Sequence, residues 1–93
     1  MKGQVSNLQD GAKSEVLRRL KSVEGHVRGV AKMVEGGDVS YADVVQQTNA
    51  IFSAIRSINT VLLKDFVEER AQKEGASKEM VKDLMKAIDR VVK

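Results

Sequence analysis

The sequence predicts an all-α protein of three helices, the second much longer than the other two. Three observations predict it. Proline is absent while Ala, Val, Lys, Glu and Arg are abundant, a composition that propagates helix. Apolar residues recur at alternating intervals of three and four rather than at intervals of two. Glycines and serines punctuate the periodic stretches, at Gly36-Gly37, Ser40, Gly75 and Ser77.

The first periodic stretch runs from about Ser14 to Glu35. Val16, Leu20, Val23, Val27, Val30 and Val34 follow one another at intervals of 4, 3, 4, 3 and 4, a heptad seam held for nearly three repeats. Ser14 is a suitable N-cap, with a start one turn earlier near Asp10 as the alternative. Gly36-Gly37 ends the helix, because glycine enters the left-handed region at low steric cost. Residues 1–13 lack periodicity and are expected to form a flexible arm on a single domain spanning 1–93.

The second helix opens at Ser40, which pairs with Asp43 in a capping-box-like arrangement. Val44, Thr48, Ile51, Ile55, Ile58 and Leu62 repeat at 4, 3, 4, 3 and 4, and Val45, Phe52, Leu63 and Phe66 widen the stripe. The pattern continues past Val67, which predicts about 30 residues and about 45 Å of helix. A helix that long overhangs any core that 93 residues can build, so its apolar band needs another subunit to cover it. The third helix, from about Ser77 to Val92, carries Val81, Leu84, Ile88 and Val91 as its apolar stripe. Lys78, Lys82, Lys86 and Arg90 stand at successive i,i+4 positions beside it. It either covers the end of the bundle or adds these cations to a binding face.

Size and composition exclude several classes. A chain of 93 residues and 10.2 kDa buries only about 60–65% of its unfolded surface when it folds alone, which leaves a marginal core. With no cysteine and one histidine, disulfides, thiolate sites and histidine-rich metal sites are unavailable, so self-association is the expected source of further burial. Enzyme chemistry finds no support: there is no Ser-His-Asp spacing, glycine-rich phosphate loop or HExxH motif, and the acids lie beside lysines and arginines on solvent-facing positions. His26 reads as a packed or surface residue, with a ligand to a metal shared between subunits as the sharper alternative. No cofactor is expected. No apolar run approaches the roughly 20 residues of a membrane span, and no signal peptide is visible after Met1. The expectation is a cytoplasmic protein without a membrane partner.

Charge points toward a polyanion. Of the net +3, residues 1–35 hold seven basic and four acidic side chains, residues 36–66 come to −1 and residues 67–93 to +1. On a helical projection, Arg18, Lys21, Arg28 and Lys32 fall within an arc of about 80° opposite the apolar seam. Such a stripe can track backbone phosphates through counterion release. The plainer reading is a solvated face, partly neutralised by the i,i+4 pairs Glu15–Arg19 and Glu24–Arg28. No helix-turn-helix is evident.

The stretch Arg19-Leu20-Lys21-Ser22-Val23-Glu24-Gly25-His26-Val27-Arg28-Gly29-Val30 resembles the opening helix of the CsoR/RcnR/FrmR family, small all-helical bacterial repressors that sense copper, nickel or cobalt, formaldehyde or reactive sulfur. The resemblance resumes at Tyr41-Ala42-Asp43-Val44-Val45-Gln46-Gln47, continues through Asn49-Ala50-Ile51 and fades after Leu62-Leu63-Lys64-Asp65, covering roughly half of the chain. It implies an antiparallel helix-bundle dimer that assembles into a disc-like homotetramer, and DNA binding through basic residues on the flat tetramer face. Arg19 matches the first-helix arginine most associated with that role, Arg28 matches the arginine of the VRG element, and Lys21 stands where a basic residue is usual. Ser22 and Phe52 depart from positions that are often basic.

The sensor positions depart further. By the resemblance, Tyr41 replaces the family's cysteine near the start of the second helix, and Phe66 and Arg70 replace the ligands near its other end. None of the three can build a Cys/His copper or nickel site. Either Tyr41, Phe66 and Arg70 line a pocket rebuilt for another effector, with Arg70 favouring an anion, or the pocket is filled and Phe66 packs as core. The resulting expectation is a repressor that contacts operator DNA through Arg18, Arg19, Lys21, Arg28 and Lys32 and has no metal site. The competing class is a helical oligomer that binds other proteins and has lost sequence-specific DNA binding.

Overall fold

A computed structural model describes residues 8–92 as three helices in the order α1 (Asp10–Gly36), α2 (Tyr41–Glu74) and α3 (Lys78–Val92), with no strand among the described residues. The all-α class is therefore as the periodicity predicts. Helix α1 takes the earlier of its two expected starts. Its cap is Gln9, in extended backbone, whose side chain makes no capping bond. Instead the Gln9 backbone N–H and Nε2 donate to the two carboxylate oxygens of Asp65 on α2, at 3.3 and 2.8 Å. This places an anion at the positive end of the α1 dipole, which favours beginning the helix there rather than at Ser14. The expected arm is shortened accordingly: residues 10–13 belong to α1, and residues 1–7 lie outside the described residues.

The remaining ends follow the predicted chemistry. Gly37 adopts φ +70° and donates to the Met33 carbonyl at 3.2 Å, closing α1. Ser40 Oγ accepts the Asp43 N–H at 3.0 Å and starts α2. With no breaker before Gly75 (φ +68°), α2 reaches 34 residues, longer than the 30 or so expected. The Ala76 N–H returns to the Ala71 carbonyl at 3.0 Å, and Ser77 Oγ accepts the Met80 N–H at 3.1 Å to open α3.

Helix α1 lies antiparallel to α2, held by three polar rungs: Gln9 to Asp65, Arg19 to Ser57 and His26 to Gln47. Helix α3 folds back along the C-terminal half of α2, where Lys64 Nζ meets Asp89 Oδ1 at 2.9 Å. It packs on α2 rather than on α1, with Lys78, Lys82, Lys86 and Arg90 exposed.

Little of the apolar surface is covered. Among the described residues, Val16, Val30 and Ile58 are the only buried apolar side chains. Helix α2 covers the flank of the α1 seam bearing Val16, Val23 and Val30, so Leu20, Val27 and Val34 remain open. The matching band on α2, Val45, Phe52, Ile55, Leu63 and Phe66, is also exposed. The radius of gyration is 17.0 Å, against about 12 Å for a compact domain of this length. No described helix is long and apolar enough to cross a membrane.

Candidate nucleic-acid interface

The basic residues of α1 divide between two faces. Lys21, Arg28 and Lys32 are exposed on the side away from α2, as the projection predicts, whereas Arg18, also exposed, stands at the edge of the groove between the two helices. Among the described residues neither Lys21 nor Lys32 has an ion-pair partner, while Arg28 approaches Glu24 at 3.8 Å, a loose exposed pair. Arg19 belongs to the other face. Its Nε donates to Glu15 Oε2 at 2.6 Å and its Nη1 to Ser57 Oγ at 2.6 Å, so it spans the α1–α2 seam half-buried. Arg18 Nη2 reaches the same Glu15 oxygen at 2.8 Å. These two arginines hold the Glu15 carboxyl below its ordinary value, the Arg19 hydrogen bond contributing most.

Between the helices at this level lies an open groove of about 430 Å³, lined by Arg18, Arg19 and Ser22 of α1 and by Ser53 and Ser57 of α2. The i,i+4 spacing announces Glu15–Arg19 and Glu24–Arg28, and both pairs are present. Ser57 and Ser53 carry no signal in the sequence, because only the register of α1 on α2 makes them neighbours of the arginines.

The sensor positions sit at opposite ends of α2. Tyr41 stands at the first residue of the helix and is 94% exposed. Phe66 and Arg70 lie 25 and 29 residues further on, about 38 and 44 Å along the axis. They line a groove of about 380 Å³ between α2 and α3 with Val67, Ala71, Met80 and Leu84. Arg70 Nη2 donates to Glu74 Oε2 at 2.8 Å across its rim. Phe66 is partly open in the single chain. Within one chain, then, Phe66 and Arg70 are brought together and Tyr41 is not.

Two of the three sensor positions offer no metal donor. Phe66 has no lone pair and Arg70 is a cation. His26 is half-buried, its Nε2 2.6 Å from Gln47 Oε1. Among the described residues no three His, Cys, Asp or Glu side chains cluster to hold an ion.

Residues 12–90 match the model of a family described as metal-sensitive transcriptional repressor. Among curated relatives, the copper-sensing transcriptional repressor CsoR of Mycobacterium tuberculosis is 32% identical over 79 residues, 82% of this chain and 66% of the relative. The chain thus spans just under two thirds of that protein's length. The copper-sensing transcriptional repressor RicR of the same organism is 41% identical over 66 residues, 68% of each chain. The copper-sensing transcriptional repressor CsoR of Bacillus subtilis is 30% identical over 84 residues, 87% of this chain and 82% of the relative. No solved structure gives a significant match.

Proposed function

The chain belongs to the metal-sensitive transcriptional repressor family, and from that premise we propose that it is a DNA-binding repressor that works as a homo-oligomer and uses no Cys/His sensing chemistry. The observation that carries the reading is the exposed α1 stripe within the matched segment, with Lys21, Arg28 and Lys32 on the face turned away from α2 and Arg18 at the edge of the α1–α2 groove. Arg19 joins it from the α1–α2 seam. These five residues contact phosphates and base edges of duplex DNA.

The exposed surface supports self-association. The chain exposes 7118 Å², whereas a folded monomer of this mass exposes about 5,300 Å². The excess, about 1,800 Å², is roughly two standard interfaces at about 800 Å² per partner. An antiparallel pairing of two α2 helices centred near Ile55 sets Tyr41 of one copy beside Phe66 and Arg70 of the other. The effector pocket is then an intersubunit one, suited by Arg70 to an anion. Absent cysteine and a lone histidine tied to Gln47 support sensing of something other than copper.

The test is alanine substitution along the stripe. Arg28→Ala and Lys32→Ala should each weaken binding to duplex DNA, by about 1–3 kcal/mol for a base contact and less for a phosphate contact, at unchanged oligomer mass. Unaltered affinity in both would leave the stripe a solvated face and favour the protein-binding oligomer instead.

A further inference from the structure

The groove between α1 and α2 has the chemistry of an anion site whose anion is supplied by the chain itself. One oxygen of Glu15 accepts from both Arg18 and Arg19, and Arg19 is held in turn by Ser57. Two guanidinium groups and one carboxylate leave a net positive charge at the groove. Three serines, Ser22, Ser53 and Ser57, line it, and hydroxyls donate readily to anionic oxygens. On the far lip Arg56 Nη2 donates to Ser53 Oγ at 3.1 Å, adding a third guanidinium. The Glu15 contacts lie near solvent, Arg18 being 68% and Glu15 34% exposed at the side chain, so they are weakly held and exchangeable.

Resting on the repressor reading above, we propose that this groove is a cradle for a backbone phosphodiester of duplex DNA, and that Glu15 occupies the phosphate's place until DNA displaces it. A phosphodiester has two non-bridging oxygens carrying one full charge, which matches two converging guanidinium groups better than one shared carboxylate oxygen does. Glu15 thereby keeps Arg18 and Arg19 extended over the groove in the free protein. It also subtracts from affinity for any polyanion, because its carboxylate and the incoming phosphate compete for the same donors.

The test compares wild-type protein with Glu15→Gln and Glu24→Gln by fluorescence anisotropy on one duplex at several salt concentrations, with circular dichroism to check the fold. Both variants remove one charge from α1, but Glu24 only approaches Arg28 loosely. The cradle predicts that Glu15→Gln binds about tenfold more tightly and that its log–log salt slope steepens by about one. Glu24→Gln should change affinity by less than about threefold. Equal gains in the two variants, or unchanged or weaker binding by Glu15→Gln, would overturn the proposal. Binding by Glu15→Gln alone, with none by the wild type, upholds the cradle and overturns the repressor reading; binding by neither overturns both.

Discussion

Ile55 lies close to the midpoint between Tyr41 and the Phe66–Arg70 pair, so in the antiparallel arrangement it stands near its own copy. Its side chain is 42% exposed in the single chain. Burying that share of an isoleucine is worth about 1 kcal/mol per copy, since full burial is worth about 1.5–3. Replacing Ile55 by Glu forfeits this twice and sets two carboxylates side by side in a desolvated interface, which raises the loss to at least about 4 kcal/mol. That corresponds to roughly a thousandfold weaker association. Sedimentation velocity at micromolar concentration should show the variant falling from a multiple of 10.2 kDa toward the single-chain mass. Far-UV circular dichroism distinguishes dissociation from loss of the helices. Ile55→Ala, which loses apolar contact alone, should give a smaller weakening in the same direction. An Ile55→Glu protein that keeps the wild-type mass would refute the α2-centred pairing.

Four further outcomes follow from particular contacts. Ile58→Ala, at a side chain only 4% exposed, should lower unfolding free energy by about 2–5 kcal/mol in a urea titration. Ser40→Ala removes the acceptor for the Asp43 N–H and should cost about 1 kcal/mol by thermal melt. Asp65→Ala releases both Gln9 bonds, and hydrogen exchange of the Gly11–Lys13 amides should accelerate while amides in the middle of α2 do not. Glu15, whose carboxyl is held below its ordinary value near 4.5, is stabilised in its ionised form. That contribution is fully present above the ordinary value and is lost only as pH falls through the lowered one. The ratio of DNA affinities between Glu15→Gln and wild type should therefore stay constant from pH 6 to 8, and a ratio that collapses within that window would contradict the pairing.

Helix number, order and most ends were legible because they depend on local chemistry. Ser40, Ser77, Gly37 and Gly75 act within one turn of themselves, and their roles can be read without knowing what packs where. The start of α1 was harder to read, since Gln9 owes its place to Asp65, 56 residues away. The same limit applies to the site. Arg18, Lys21, Arg28 and Lys32 share a face by projection alone, whereas the turn of Arg19 toward Ser57 comes from the antiparallel register of α1 on α2. The apolar seam misleads in one respect. Heptad spacing does not say which partner covers which flank, and α2 covers only half of what the pattern on α1 offers. Tyr41 and Arg70 stand at opposite ends of one helix, and only a second chain can bring them together.

The central claim, that this family member binds operator DNA through α1, is tested most directly by anisotropy on duplex DNA from upstream of its own gene. Scrambled duplex serves as competitor, and the titration is repeated at several salt concentrations. Operator recognition through α1 gives tight binding that resists the competitor, with log affinity falling by about 0.9 per log unit of salt for each phosphate contacted. Weak binding, equal for both duplexes, would contradict it and leave the basic stripe as a solvated helix face.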